Sequence, residues 1–437
     1  MRARMGSAGA FQWLLLLVGL FLSSASWCSD IAYIAGNDAE TARFNHEATQ
    51  AFINGADLVQ AIEAGNGLLA HASDKGRVLA LKQLVATFYT FAGRYDKAAQ
   101  TYPVFAHASV IASLSNRQGV PRFADAATSI AAMAQDRRAV FINENHGAPI
   151  TRLLPLELLP KLRAEGFQYL ALETLNRADA PVMHGCIGLV DSELCQRGYA
   201  LDNVKTGIYS HDPVYGALIR EAISLGFHLV AYDVFDVEDD RARDAGEASN
   251  LANIYKNDPS AKMLVVAGFD HVAKEDANMA SVFRRVTQID PLTIDQAALL
   301  GLDPKLWGAR AAVPRDRASV VFMDGVALST RPGAVDVSVY RPPFAVDRQK
   351  AGWLALDGRR VQTPIKRACR TYPCLLTARR ADEPTGVPED RLYLDKPGDV
   401  LLYLAPGRYT VSVEAQGITR LLSVAVRRRT NAGGPIL

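Results

Sequence analysis

The chain has 437 residues, of which 49% are hydrophobic and 22% are charged. That length is typical of a protein with two or three domains. The 48 basic residues are balanced by 46 acidic ones, and the C-terminal cluster Arg427-Arg428-Arg429 is typical of a solvated tail. With no overall electrostatic field to attract it, nucleic acid is excluded as an expected partner.

The first 26 residues predict a secretory signal peptide. Two arginines within the first four residues precede an apolar run, Trp13–Leu22, and small residues follow up to Ser26. The run is too short for a membrane span, and no later stretch is long and apolar enough to cross a bilayer. We expect cleavage after Ser26 and a periplasmic or secreted bacterial protein. An uncleaved anchor and a lipoprotein modified at Cys28 are the alternatives.

Four further cysteines form two close pairs, Cys186 with Cys195 and Cys369 with Cys374. An oxidising compartment favours a disulfide within each pair. Zinc binding is the competing interpretation, but neither pair has the C-x-x-C spacing of a structural zinc site. We therefore expect two local disulfides.

Residues 27–137 are predicted to form a helical region. The clearest element is Leu81–Tyr102, which indicates two amphipathic helices that turn at Gly93 and resembles one tetratricopeptide hairpin. A solenoid needs about three stacked repeats, and the sequence has no second copy. We interpret the region as a helical domain or cap that offers a surface for a protein partner.

Residues 138–316 predict an α/β domain. Helical patterns separate four short apolar runs, one of them beginning at the cap Asp212-Pro213. Near-continuous apolar runs indicate strands buried on both faces of a mostly parallel sheet, and strand–helix alternation predicts helices on both faces. The predicted strands are Ala139–Glu144, Gln168–Glu173, His228–Asp233 and Lys262–Gly268.

The pattern changes again after residue 316. Alternating residues in Tyr409–Val413, a turn at Gln416-Gly417 and the run Ile418–Val426 predict a β-hairpin. We expect residues 317–437 to form a small, mainly-β region. It is predicted to be either a sandwich of its own or a set of strands packed on the α/β domain.

The predicted strands end in ionisable residues. Glu144 and His146 are two residues apart, so on an extended chain their side chains point the same way. The next two strands end at Glu173 and Asp233, and the fourth leads to His271. Each residue alone is compatible with a structural role, such as a helix cap. Because ligands bind at the carboxyl ends of parallel strands, and a buried ionisable group needs a partner or solvent, we predict one common site.

The stretches NENHGAPITR, GFQYLALETL and RARDAGEASNLANIYKNDPSAKMLVVAGFDHVAKE resemble the erythromycin esterase/ChaN/TraB-type (TIKI-like) hydrolase superfamily. The resemblance covers the central domain only, roughly residues 139–295. The superfamily includes macrolide esterases, metal-dependent peptidases and a haem-binding lipoprotein. Its members carry an arginine after the first motif, which matches Arg152. The resemblance also implies functional positions for Glu144, His146, Glu173, Arg243, Asp244 and His271.

The sequence departs from the superfamily pattern at three points. Asn143 stands where a glycine usually precedes the glutamate. The two-residue spacing of Glu144 and His146 is that of the peptidase and haem-binding branches, and the late motif Gly268–His271 lacks the extra histidine of the esterases. We therefore do not expect macrolide hydrolysis.

Our first functional hypothesis is a hydrolase that activates water to cleave an ester or amide bond in a small-molecule or peptide substrate. Either a divalent metal (Zn, Mn or Co) bound by Glu144, His146 and His271 activates the water, or His146 acts as the base with Glu144 or Glu173 orienting it. Arg152 would then stabilise developing negative charge. The alternatives are a haem- or metal-binding protein without catalysis, and an interaction scaffold with a relict site.

Three further residues are candidates of second rank. Arg243 and Asp244 could form ordinary ion pairs on a helix instead of belonging to the site. Asp233 could cap a helix. For Arg152, which is a candidate of the first rank, a surface salt bridge is the alternative.

Overall fold

The structure is a computed structural model. The predicted signal peptide, its cleavage site, Cys28 and the start of the helical region lie outside the described residues. The described residues are 58–73, 75–103, 108–115, 119–179, 182–234, 237, 239–366 and 368–427.

The described N-terminal part is helical, as expected. Its four helices are α1 (Leu58–His71), α2 (Lys75–Phe91), α3 (Tyr95–Thr101) and α4 (Ala108–Ser115). The predicted turn between α2 and α3 is present at Gly93, which has a φ of +67°. A Cβ there would overlap the carbonyl oxygen of Arg391 in the C-terminal region, so only glycine fits this close approach. The α2–α3 hairpin is thereby packed on the C-terminal β region.

A ten-stranded sheet forms the centre of the molecule. Seven adjacent strands, in the order β10-β7-β2-β6-β3-β5-β4, run parallel, and antiparallel strands β8, β1 and β9 complete the sheet beyond β10. This confirms the predicted α/β class with a mostly parallel sheet. The strands are β1 (Arg122–Asp125), β2 (Ala139–Glu144), β3 (Tyr169–Leu172), β4 (Cys186–Ile187), β5 (His228–Val230), β6 (Met263–Gly268), β7 (Leu292–Leu300), β8 (Ser319–Met323), β9 (Val326–Ala327) and β10 (Val337–Arg341).

Helices cover both faces of this sheet. Alternate residues of β2 enter different cores: Val140 and Ile142 pack with α5, α6 and α8, whereas Ala139 and Phe141 pack with α9 and α10. Because both faces of β2 are buried in this way, the strand needs apolar residues on both faces. The helices are α5 (Ala126–Met133), α6 (Leu153–Ala164), α7 (Leu194–Arg197), α8 (Pro213–Ser224), α9 (Asp240–Asn257) and α10 (Met279–Thr287).

The predicted cap of α8 is present. Asp212 precedes the helix, and its Oδ1 accepts hydrogen bonds from the backbone N–H groups of Val214 at 2.9 Å and Tyr215 at 3.1 Å. Two of the unpaired N–H groups at the start of the helix are satisfied in this way.

The sheet extends beyond residues 138–316 on both sides. Strand β1 comes from the segment before this range, and β8, β9 and β10 come from the segment after it. Strand β10 pairs in parallel with β7, so the α/β layer and the following region share one continuous sheet.

The C-terminal region is mainly β, as expected. A four-stranded antiparallel sheet has the order β13-β12-β15-β16, and β11 pairs with β14. Side chains of both sheets share one hydrophobic core, so the region forms a small sandwich. The predicted hairpin is β15–β16. The strands are β11 (Val361–Pro364), β12 (Cys374–Arg380), β13 (Asp390–Leu394), β14 (Leu401–Leu404), β15 (Gly407–Ala415) and β16 (Ile418–Val426).

Both expected disulfides are present. Cys186 is bonded to Cys195 with a Cα–Cα distance of 5.7 Å, and Cys369 is bonded to Cys374 with a Cα–Cα distance of 6.0 Å. Disulfides persist in oxidising surroundings, so they indicate an extracellular or periplasmic environment. Among the described helices, none has both the length and the apolar character needed to cross a membrane.

Replacing Cys186 and Cys195 together with serine is expected to lower the free energy of unfolding by about 2–3 kcal/mol, because the cross-link limits the conformations of the unfolded chain. Denaturant titration of the wild type and the double variant measures this difference. Mass spectrometry of the unreduced protein should find all four of these cysteines bonded. Four free thiols would contradict the prediction.

Candidate active site

The carboxyl ends of four adjacent strands, β2, β6, β3 and β5, meet at one edge of the sheet. Glu144 ends β2, Glu173 follows β3, and a 3-10 segment that contains His271 follows β6. An added Cβ on Gly268, the last residue of β6, would lie 3.0 Å from His146 Nε2 and 3.2 Å from Glu173 Oε2. These two atoms are therefore within about 6 Å of each other. The structure brings Glu144, His146, Glu173 and His271 together.

Glu144 and His146 form a buried pair. The His146 Nδ1 lies 2.5 Å from the Glu144 Oε1, and the Arg152 Nε donates to the Glu144 Oε2 at 3.0 Å. Burial raises the pKa of Glu144, but the charges of Arg152 and His146 outweigh burial and lower it to about 2. An ionised carboxylate only accepts hydrogen bonds, so Nδ1 carries the proton. The other ring nitrogen, Nε2, faces Gly268.

Two aromatic rings fix the orientation of the His146 imidazole. The ring of Tyr209 stacks on it with a centroid distance of 3.9 Å and an interplanar angle of 12°. The ring of Phe269 meets its edge at 5.6 Å. Phe269 has a φ of +28°, which is uncommon for an aromatic residue, and its carbonyl oxygen accepts a hydrogen bond from Asn143 Nδ2 at 3.2 Å. Strained backbone of this kind is concentrated at functional sites.

Asn143, the residue before Glu144, has a structural role here. Its Nδ2 donates to Asp295 Oδ1 at 2.9 Å, and its Oδ1 accepts from the Gln296 backbone N–H at 2.8 Å. Both partners lie on β7, the strand beside β2. The amide therefore ties the end of β2 to its neighbour and to the Phe269 turn.

Arg152 lies behind Glu144 and has no exposed surface. Its Nη1 is 3.2 Å from Asp212 Oδ1, and its guanidinium lies 4.9 Å from the centroid of the Tyr215 ring. A fully buried guanidinium held between two carboxylates has no path to a substrate oxygen. Arg152 therefore positions Glu144, and this geometry does not support the expected role in stabilising developing negative charge.

Replacing Arg152 with methionine is expected to destabilise the fold by about 3–5 kcal/mol, because Glu144 and Asp212 would remain buried without their counter-ion. Thermal and denaturant unfolding measure the change. Arg177→Met is the control, since Arg177 pairs with an exposed aspartate and should contribute less than about 1 kcal/mol. Equal stability of the two variants would contradict the positioning role.

A second cluster surrounds Arg243, near the start of α9. Its guanidinium lies 3.0 Å from Glu173 Oε1, 2.8 Å from Asp233 Oδ2 and 3.4 Å from Glu247 Oε1. Glu173 also accepts the backbone N–H of Gly268. Arg243 thus pairs with Glu173 and Asp233, which lie outside its own helix, as well as with Glu247 on the same helix.

His271 occupies the other side of this cluster. Its Nδ1 is 2.7 Å from Asp244 Oδ1 and 3.4 Å from Glu247 Oε2, and its Nε2 is 3.9 Å from Glu173 Oε1. Asp244 also accepts the backbone N–H of Met279, which fixes the carboxylate. Burial lowers the pKa of His271, but the hydrogen bond to Asp244 and the charge of Glu173 raise it overall.

The second cluster contains more acidic than basic groups. Four carboxylates face one guanidinium and one imidazole. Burial, followed by the charge of Asp233, raises the pKa of Glu247 well above its usual value, and burial also raises the pKa of Asp233. Glu247 has no exposed surface, and neither of its oxygens accepts a hydrogen bond within the described part of the chain. Among the described residues, Arg243 and His271 are the cationic partners of these carboxylates.

Within the described residues, Glu173, Glu247 and His271 are placed to hold a metal ion. One oxygen or nitrogen of each lies within 4.8 Å of the others. Donors on one ion with bonds of 2.0–2.2 Å stand up to about 4.4 Å apart, so small side-chain movements would close the site. This trio shares only His271 with the ligand set expected from the sequence. Both carboxylate oxygens of Glu144 already have partners, His146 on Oε1 and Arg152 on Oε2.

No family model and no curated protein matches this chain. Among solved structures, the type III effector HopBA1 has 16% identity and a TM-score of 0.28, with 40% of this chain and 85% of the effector covered. A structure described as bacterial protein toxins has 18% identity and a TM-score of 0.28, with 57% of this chain and 56% of the toxin covered. Similarities at this level carry no argument about function.

A third solved structure is that of the C-terminal region of Pasteurella multocida toxin, whose description names a thiol-protease-like catalytic triad. It has 10% identity and a TM-score of 0.26, with 80% of this chain and 54% of the toxin chain covered. The present chain therefore spans about half the length of that structure. Any functional conclusion for this chain rests on the geometry of its own site.

Sequence reasoning missed Glu247 and Tyr209. The buried stripe of α9 includes Ala248, Leu251 and Ala252, and its extension by one turn towards the N-terminus reaches Glu247. A glutamate on an apolar helix face is the signal that would have identified it. Tyr209 lies in a 3-10 segment between α7 and α8, and no strand or helix pattern indicates its place beside His146.

Proposed function

We propose that the chain is an exported hydrolase of the erythromycin esterase/ChaN/TraB-type superfamily. In this proposal His146 activates a water molecule that attacks an ester or amide bond. The observation that carries it is the buried Glu144–His146 pair, in which Nδ1 is held at 2.5 Å and Nε2 faces the strand edge shared with Glu173. A histidine oriented by a carboxylate is the usual arrangement of a general base.

The chemistry follows from the two ring nitrogens of His146. Nε2 accepts a proton from water as the water oxygen attacks the carbonyl carbon. The resulting imidazolium is stabilised by the ionised Glu144, which Arg152 holds in place. The proton on Nε2 then passes to the leaving alcohol or amine when the bond to the carbonyl carbon breaks. A positioned base of this kind contributes about 10²–10⁴-fold to the rate.

The same proposal assigns a divalent metal to Glu173, Glu247 and His271. Such an ion, when bound, lowers the pKa of a bound water and polarises a carbonyl. Asp244 holds Nδ1 of His271 and so presents Nε2 towards Glu173. Carboxylate partners of this type orient metal-binding histidines in proteins. The trio supports a metal ion at this position, and Zn, Mn or Co are the ions we propose.

A metal-binding protein without catalysis is the second candidate function. The buried trio of Glu173, Glu247 and His271 supports it independently of His146. The haem-binding and scaffold hypotheses have no separate support in the geometry, and they are outcomes that a substrate and metal screen distinguishes.

The test is a panel of aryl esters and aminoacyl anilides, assayed with the purified protein with and without added Zn, Mn or Co. Elemental analysis and an absorption spectrum accompany it. Hydrolysis that depends on His146 supports the proposal. Bound metal without hydrolysis supports the second candidate, and a Soret band supports haem binding. If hydrolysis, bound metal and a Soret band are all absent, the scaffold hypothesis is supported.

A further inference from the structure

A separate cleft of about 1090 Å³ lies beside α6 and the segment that follows β10. We call it the Arg341 cleft. Six basic and four acidic residues line it, so its formal charge is positive. None of Glu144, His146, Glu173 and His271 is among the lining residues. The basic residues are Lys161, Arg315, Arg317, Arg341, Lys350 and Arg359.

Arg341 differs from the other buried arginines. It ends β10 and is 5% exposed, and its guanidinium forms no ion pair or hydrogen bond with any other described residue. By contrast, Arg152 and Arg360, both buried, donate to carboxylates at 3.0 Å and 2.8 Å. A buried cation without a counter-ion is unfavourable, so its retention needs a reason outside stability.

The electrostatics of Arg341 agree with this geometry. Burial lowers its pKa to about 10, and the charge of Glu157 offsets burial only in part. Burial in turn raises the pKa of Glu157. Glu157 therefore does not fully compensate the charge of the Arg341 guanidinium.

The wall of the cleft is aromatic. Phe344 and Trp353 line it, with ring centroids 6.4 Å apart and nearly perpendicular planes. The indole N–H of Trp353 already donates to the carbonyl oxygen of Ala345 at 2.9 Å, so the ring offers an apolar surface. Pro342 and Pro343 follow Arg341 directly and restrict the backbone there. A fixed cation thus stands beside a rigid apolar wall.

The segment Pro149–Arg152 lies between this cleft and the candidate active site. Ile150 lines the cleft, whereas the side chain of Arg152 reaches Glu144. The two sites are therefore adjacent and chemically distinct.

We infer that the Arg341 cleft binds a small organic anion. Its carboxylate or phosphate group pairs with the Arg341 guanidinium, and its apolar part packs against Phe344 and Trp353. A planar guanidinium is suited to either oxyanion because it donates two parallel hydrogen bonds. The exposed arginines and lysines of the rim attract the anion. This inference goes beyond the proposed hydrolysis and does not depend on it.

The test uses titration calorimetry of the purified protein with phenyl phosphate, benzoate and uncharged benzamide. Arg341→Met is expected to weaken binding of the preferred anion about 10- to 100-fold and to leave benzamide unaffected. Arg284→Met removes a cation whose side chain is 54% exposed outside the cleft, and it should change nothing. The anion that binds with the higher affinity, phenyl phosphate or benzoate, shows whether the natural ligand carries a phosphate or a carboxylate.

Thermal unfolding without anion separates binding from a structural role. Arg341→Met should be at least as stable as the wild type, since it removes an uncompensated buried charge. Arg341→Lys keeps the charge but loses the paired donors, and it should weaken anion binding about tenfold. The inference is overturned if neither anion binds the wild type saturably, if Arg341→Met binds anions like the wild type, or if it unfolds more easily without them.

Discussion

Replacing His146 with alanine is expected to reduce turnover by about 10²–10⁴-fold while the protein keeps its fold. In the proposed mechanism Nε2 of His146 takes the proton from water, and its loss leaves water to attack unaided. The measurement is kcat on the best substrate of the panel, together with circular dichroism and thermal unfolding. The metal content should stay close to that of the wild type, because His146 is outside the Glu173–Glu247–His271 trio.

The control is His228→Ala. His228 is an exposed histidine at the start of β5, at the end of the strand opposite to the site, so its loss should leave kcat unchanged. Glu144→Gln provides the intermediate case: the amide oxygen still accepts the Nδ1 proton, but the charge that stabilises the imidazolium is gone. Its kcat should fall below that of the wild type and remain above that of His146→Ala. A His146→Ala protein with wild-type turnover would remove the support for His146 as the base.

The position of the site could be predicted from the sequence because the sheet is parallel. Each buried strand is visible as an apolar run, and the carboxyl ends of parallel strands must lie at one edge. Glu144 and Glu173, which stand at or directly after such ends, are therefore placed by chain order alone. The order of the strands was not needed, since any order puts both carboxylates at the same edge.

The role of each residue within the site could not be predicted, because it depends on contacts between segments that are distant in the sequence. Arg152 was expected to act on the substrate, yet it is enclosed between Glu144 and Asp212, and Asp212 is 60 residues later in the chain. Its burial follows from the packing of the Pro149–Arg152 segment on α8, which no local pattern reports. The sequence shows which residues are charged, whereas only the packing shows which of them solvent can reach.

The full extent of the sheet could not be predicted either, because its outer strands have no clear sequence pattern. Strands β1 and β9 have four and two residues, too few for a clear alternation. Strand β10 follows a turn-rich segment in which the helical pattern has already disappeared. The change of pattern near residue 316 therefore marks the end of the helices that cover the sheet, and β8 and β10 continue the same sheet after it.

Replacing Glu247 with glutamine is expected to lower the affinity for a divalent metal by at least about 100-fold, because it removes a charged ligand and the loss of even an outer partner reduces affinity 10- to 100-fold. The measurement is titration of the chelator-treated protein with Mn, Zn or Co, followed by elemental analysis. Asp240→Asn, an exposed acid at the start of the same helix α9, is the control and should bind metal like the wild type.

Thermal unfolding gives the sharper signature, because the order of stability should reverse with metal. In chelator, Glu247→Gln should be at least as stable as the wild type, since it removes a fully buried carboxylate whose oxygens accept no hydrogen bond from the described residues. With metal at about 100 times its dissociation constant, the wild type should gain about 2.7 kcal/mol and become the more stable protein. A wild type that chelator and metal leave unchanged would contradict the metal site. Arg243 and His271 would then be the partners of Glu247, and in the proposed mechanism water activation would rest on His146 without a metal.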